Sequence, residues 1–125
     1  NVEQELIPFC GKYGVGILPY FPLANGFLTG KYRKNSPPPE GSRLEADNKG
    51  LFTEDNYALL EKLINFSEER GKTVLDLAFA WLLYNNDISS VIAGATKPEQ
   101  VISNADAADW QLTDKEYEEV TQFLP

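Results

Sequence analysis

Two short stretches of this chain carry the residue types from which an anion site can be built. In "GVGILPYFPLANGFLTGKY", residues 14–32, an apolar run ends at Tyr20 and is followed by Gly26, Gly30 and Lys31. Glycines let backbone N–H groups approach an anion, and the lysine adds positive charge. In "ISSVIAGATKPEQ", residues 88–100, a second apolar run reaches Ala93 and passes through Gly94, Ala95, Thr96 and Lys97 into Pro98 and Glu99. Proline at the first helical position with an acid behind it marks a helix start, whose free N–H groups and dipole favour negative charge. A glycine after a strand is most often a plain turn, so each signal alone is weak. Together they point to a ligand with two separated phosphate groups, such as a dinucleotide.

Other chemistries are excluded by composition. The chain has no histidine, which removes Ser-His-Asp and Cys-His catalysis and any zinc site built on imidazole. Its single cysteine, Cys10, cannot form an internal disulfide, fits a reducing cytoplasm and reads as a buried thiol on a helix face. A formal net charge of −8 argues against a nucleic-acid surface, since phosphate is repelled by an acidic face. No apolar run approaches the roughly 18 residues of a membrane span, and no secretory leader is evident. The sequence contains no methionine and starts at Asn1, so we expect a piece of something longer.

The elements that would position the two stretches follow from periodicity. "VEQELIPFCGK" suits a short helix ending near Gly11 or Gly14, with Pro8 either kinking it or lying near its start. "VGILPY" and "ISSVIAGA" suit short buried strands, residues 15–20 and 88–95. Between them, residues 33–52 form a polar excursion with three consecutive prolines, of a size usually mobile or working as a lid. A helix starts at Thr53, carries Leu59, Leu60, Leu63, Ile64 and Phe66, and stops at Gly71. A second starts at Thr73 with Asp76 three residues on; Val74, Leu77, Ala78, Trp81 and Leu82 make its core-facing stripe. The helix from Pro98 carries Val101, Ile102 and Ala105, and a last one opens with the capping box Thr113–Glu116 and ends near Leu124.

Strands alternating with helices imply a parallel α/β sheet. Two parallel strands cannot bury both faces or hide their edges. A closed eight-stranded α/β barrel takes about 250 residues and places its chemistry at the carboxyl ends of its strands. Residues 1–125 therefore read as one domain, half of a (β/α)8 TIM barrel holding the last two strands with flanking helices and incomplete as a barrel on its own.

"LPYFPLANGFLTGKY" followed by "SVIAGATKPEQVISNA" resembles the C-terminal half of an aldo-keto reductase. That family folds as a (β/α)8 barrel and reduces carbonyls with NADPH, and the resemblance covers essentially all 125 residues. By this resemblance, Tyr20 matches the aromatic residue that stacks on the nicotinamide ring. Phe21, Pro22 and Leu23, then Gly26, Leu28, Gly30 and Lys31, match the loop wrapping the pyrophosphate. Arg43 falls where related members place an arginine near the adenosine phosphate; a solvated loop charge is the plain alternative. Gly94, Thr96 and Gln100 match the segment holding the 2′-phosphate, and Asn104 matches the adenine contact. Lys97 faces either the phosphate or solvent.

The sequence departs from the family pattern at Phe21, where many members carry serine, at Gln100, where many have arginine, and at Ser103, where a glutamate is common. Losing an arginine loses a bidentate phosphate grip, which leaves NAD(H) as the alternative to NADP(H). The family's catalytic tetrad of Asp, Tyr, Lys and His matches no position here, so these residues supply no catalytic group. The resemblance implies a cofactor-binding portion of a carbonyl/alcohol oxidoreductase whose small-molecule carbonyl substrate meets the complete protein. A regulatory or binding subunit of the same fold, resembling potassium-channel β subunits, is the alternative. Either the missing N-terminal half or self-association is expected to cover the sheet edges.

Overall fold

The computed structural model describes residues 2–125, and its core is helical. A π-helical turn, Val2–Leu6, leads directly into α1, Ile7–Tyr13, with Pro8 in the first turn of α1 where the helical spacing changes. Gly14 ends α1 in the left-handed conformation, and Cys10 is the residue α1 buries. The other helices are α2 (Glu54–Glu68), α3 (Val74–Leu83), α4 (Pro98–Asp106) and α5 (Asp114–Thr121), with 3-10 turns at Ala24–Thr29 and Ala107–Asp109.

Local sequence sets the helix starts. Thr53 caps α2, its hydroxyl accepting the Asn56 N–H at 3.2 Å. At α3 the Asp76 N–H donates to Thr73 Oγ1 while the Thr73 N–H donates to Asp76 Oδ2, at 3.2 and 2.8 Å. Thr113 and Glu116 repeat this reciprocal arrangement at α5.

Helix α3 packs against α2 and against both 3-10 turns. Leu60, Leu63, Ile64 and Phe66 of α2 meet Val74, Leu77 and Ala80 of α3, with Phe27, Tyr32, Leu44, Leu112 and Val120 closing the cluster. Arg70 ties the end of α2 to α5. Its Nε donates to Glu116 Oε1 at 3.0 Å and its Nη1 to the Phe66 carbonyl at 2.9 Å, while the guanidinium lies 3.6 Å above the Phe66 ring. The Thr113 N–H and hydroxyl, then Arg70, hold the Glu116 carboxyl below its ordinary range.

Four expectations need correction. The two strands reduce to one parallel bridge, Ile17 with Ile88, and no extended strand occurs among the described residues. Nor are they buried: Val15, Leu18 and Ile92 are more than half exposed, because no neighbouring strand covers them. Helix α4 buries none of its side chains, leaving Val101 and Ile102 open to solvent. The α3 stripe is split: Val74 and Leu77 are buried, but Ala78, Trp81 and Leu82 are half-buried. With Phe79 and Ala80 buried as well, α3 is apolar over more of its circumference than one stripe. Residues 33–52 are mostly exposed but anchored at one point, where Leu44 reaches the core and its N–H donates to the buried Tyr32 hydroxyl at 3.3 Å.

Candidate functional site

The bridge sets the site's polarity. The Ile17 N–H donates to the Asp87 carbonyl at 3.0 Å, and the Ser89 N–H donates to the Ile17 carbonyl at 2.9 Å. The pair is parallel, so both stubs present their carboxyl ends in the same direction. Tyr20 follows Ile17 by three residues, and Thr96 follows Ile88 by eight.

At the first end, a strained turn carries the aromatic pair. Phe21, Ala24 and Asn25 have φ of 54°, 45° and 58°, a region that costs non-glycine residues about 1–3 kcal/mol each. The turn is closed by the Leu23 carbonyl, which accepts the N–H groups of Gly26 and Leu28. Pro22 and Leu28 turn inward and line an apolar pocket of about 190 Å³ with Leu63, Leu77, Trp81 and Val120. Tyr20 points out, 84% exposed, with its ring centroid 3.9 Å from that of Phe21. An aromatic face this open is available for stacking.

Two cations attend this turn. Lys31 folds back over it, its Nζ 5.3 Å from the Tyr32 ring centroid and 3.8 Å from where a Gly26 Cβ would lie. Arg43 reaches in from the long loop, its guanidinium 5.2 Å from the Phe21 ring. Among the described residues neither has an acidic partner within 4.0 Å, whereas the arginines Arg33 and Arg70 and the lysines Lys34 and Lys49 do. Gly30 is held by packing: its φ is 79°, and a Cβ there would lie 3.2 Å from Val74 Cγ1.

The second end is built differently. Gln100 Oε1 accepts the Thr96 N–H at 2.7 Å, the Lys97 N–H at 3.3 Å and the Thr96 hydroxyl at 3.2 Å. Gln100 thus caps α4 with its carbonyl oxygen and keeps its amide N–H₂ as a donor. Asn104 lies one turn further along, half-buried, at the i+4 spacing that places it on the Gln100 face. An open depression of about 600 Å³ lies here, lined by Ala95, Thr96, Lys97, Pro98, Val101 and Ile102. None of the first-end residues lines it. Gly94 has nothing within 4 Å of a would-be Cβ.

The chain thus gathers its predicted site residues in two groups: Tyr20, Phe21, Lys31 and Arg43 around the strained turn, and Thr96, Lys97, Gln100 and Asn104 on α4. A dinucleotide fits the first directly, through an open ring face and two cations without acid partners. At the second, the Thr96 and Lys97 N–H groups and the Thr96 hydroxyl are already engaged by Gln100 Oε1, so the Gln100 amide N–H₂ and the Lys97 ammonium are the donors on offer. Sequence reasoning missed Phe27, Tyr32 and Leu44, which anchor the first group from below. The sequence carried little signal for Leu44, a single leucine with Arg43 before it and Glu45 after it and no apolar periodicity around it.

Comparison with known proteins identifies the family. The profile of the aldo/keto reductase family matches residues 1–125. A rice (Oryza sativa subsp. japonica) protein named a probable voltage-gated potassium channel subunit beta is 39% identical over 114 residues, covering 87% of this chain and 34% of its own length. The L-glyceraldehyde 3-phosphate reductase of Escherichia coli (strain K12) is 32% identical over 128 residues, covering 98% of this chain and 37% of its own. The structure of a glycerol dehydrogenase from Gluconobacter oxydans superposes with a TM-score of 0.80 at 29% identity, over 98% of this chain and 38% of that one. The chain spans between a third and two fifths of the length of these proteins, and its fold matches part of the barrel of that enzyme. It belongs to the aldo/keto reductase family.

Proposed function

We propose that this chain is the dinucleotide-holding portion of a carbonyl/alcohol oxidoreductase that uses NADP(H), with NAD(H) as the alternative. The single observation that supports this reading is the parallel Ile17–Ile88 pair, from which both anion-seeking loops depart the same way. In this reading Tyr20 offers its ring to the nicotinamide, and Lys31 and Arg43 meet the phosphates. Thr96, Lys97 and Gln100 hold the 2′-phosphate, and Asn104 meets adenine. The cofactor supplies the hydride; the protein supplies orientation and charge. Proton delivery to the carbonyl falls to groups outside these 125 residues, because no position here matches the family's tetrad.

The test is a titration of the complete protein with NADPH and, in parallel, NADH, followed by nicotinamide fluorescence. Lys31→Ala is expected to weaken binding by about 1–3 kcal/mol, the range of a charge-assisted hydrogen bond. Unchanged affinity removes Lys31 from the site, and a parent protein that takes up neither dinucleotide ends the reading.

The similarity to the rice protein favours a second reading, a non-catalytic regulatory or binding subunit that keeps the dinucleotide site. Turnover of a carbonyl substrate by the complete protein, with affinity and turnover lost together in Lys31→Ala, rules that reading out. Either reading needs a partner surface. Phe9, Tyr13, Val15 and Leu18 form an apolar front on α1 and the first stub, each at least half exposed. We assign this front to the rest of a barrel. Size-exclusion chromatography that finds the isolated chain self-associated, and monomeric once the first half is supplied, supports that assignment.

A further inference from the structure

We infer that Phe21 is a positioning residue for Arg43, its ring holding the guanidinium where the dinucleotide's phosphate arrives; this rests on the dinucleotide reading above. Phe21 is the residue at which the sequence departs from the family's usual serine, so the role is not carried over from the family. Three observations converge on it. The Phe21 backbone stands at φ 54°, an unfavourable conformation for a large side chain that needs a compensating reason. Its ring lies between two neighbours, the Tyr20 ring centroid at 3.9 Å and the Arg43 guanidinium at 5.2 Å. Arg43 makes no ion pair and its side chain no hydrogen bond, so the aromatic face is its one specific contact among the described residues.

The loop is fixed beside that contact. Leu44, the next residue, is 1% exposed, and its N–H is held by the Tyr32 hydroxyl. Backbone position is therefore set by Leu44, and the direction of the long, flexible arginine is set by Phe21. A guanidinium stacked on a ring still presents N–H donors at its edge, so holding it there leaves its phosphate-binding face free and reduces the freedom lost on binding. The strained turn that aims Phe21 also exposes Tyr20, so the ring offered to the nicotinamide and the cation offered to a phosphate share one support.

The experiment compares Phe21→Leu, Phe21→Tyr, Arg43→Gln and the Phe21→Leu/Arg43→Gln pair in the complete protein. Two readouts are taken: the proton shifts of the Arg43 δ-methylene, and NADPH affinity. The parent is expected to show a ring-current displacement of the Arg43 protons that Phe21→Leu abolishes and Phe21→Tyr restores. Affinity is expected to fall about three- to tenfold in Phe21→Leu, to recover in Phe21→Tyr, and to fall no further when Phe21→Leu is added to Arg43→Gln. Normal NADPH binding with no ring-current displacement, or additive losses in the double variant, overturns the proposal alone. A clear displacement in a parent that binds no dinucleotide overturns the functional reading and this role with it.

Discussion

The two strand ends begin from the same bridge yet are held in opposite ways. The loop after Tyr20 is fixed from beneath: Phe27 and Tyr32 are buried, Gly30 abuts Val74, and Pro22 and Leu28 enter an apolar pocket. The loop after Ala93 is exposed from Gly94 through Gln100, and α4 beyond it buries no side chain. The lesson is about where preorganisation comes from. A loop that folds over a helical floor can hold strained residues such as Phe21 and Asn25, because the packing around them over-determines the conformation. The loop after Ala93, held mainly by Gln100 Oε1, has no such packing beneath it.

That contrast can be broken by substitution. Phe27→Ala removes a core ring from beneath the first loop and is expected to cost about 3–5 kcal/mol in urea unfolding, while α4 mutants cost far less. Gly30→Ala combines an unfavourable φ with a methyl 3.2 Å from Val74, so about 1–3 kcal/mol of stability should go. A loss as small as that of a surface mutation would show that the first loop is not supported as described.

Acid sharpens the same contrast through the helices below. The folded Glu116 carboxyl titrates below its ordinary value, first because the Thr113 N–H donates to it, then through the Thr113 hydroxyl and Arg70. A lowered folded value means the stability is present at neutral pH. It is lost as pH falls from the ordinary glutamate value near about 4.3 through the folded one. Urea midpoints of the parent and Glu116→Gln should therefore differ at pH 6 and converge in that acid window. Parallel curves would sink the assignment.

The smallest stability effect is expected at Gly94→Ala, about 0.5 kcal/mol or less, because a Cβ there meets nothing within 4 Å among the described residues. In the complete protein the same change is expected to weaken NADPH binding if a phosphate approaches the backbone. Loss of stability without loss of binding would mean the residue is only a turn.

How much of this was legible beforehand depends on the range of the interaction involved. The starts of α2, α3 and α5 were readable at Thr53, Thr73 and Thr113, since a cap is made between residues three apart. The start of α4 was readable at Pro98, because proline fixes its own backbone. The reach of Leu44 into the core was not, because a lone leucine in a polar run has no periodicity to betray it. The strands were overestimated for a related reason: "VGILPY" and "ISSVIAGA" have strand composition, but a ladder also needs neighbours, and within these residues each stub has one.

Alone, the sequence determined where α2 to α5 start, the residue types at the two loops and the family signature, all of which are local patterns along the chain. Tertiary structure decided that Arg43 meets Phe21, that Tyr32 secures Leu44, and that both loops leave a parallel pair in one direction. Those contacts join residues distant in sequence, and their pairing depends on which surfaces remain after α2, α3 and α5 have closed around the core.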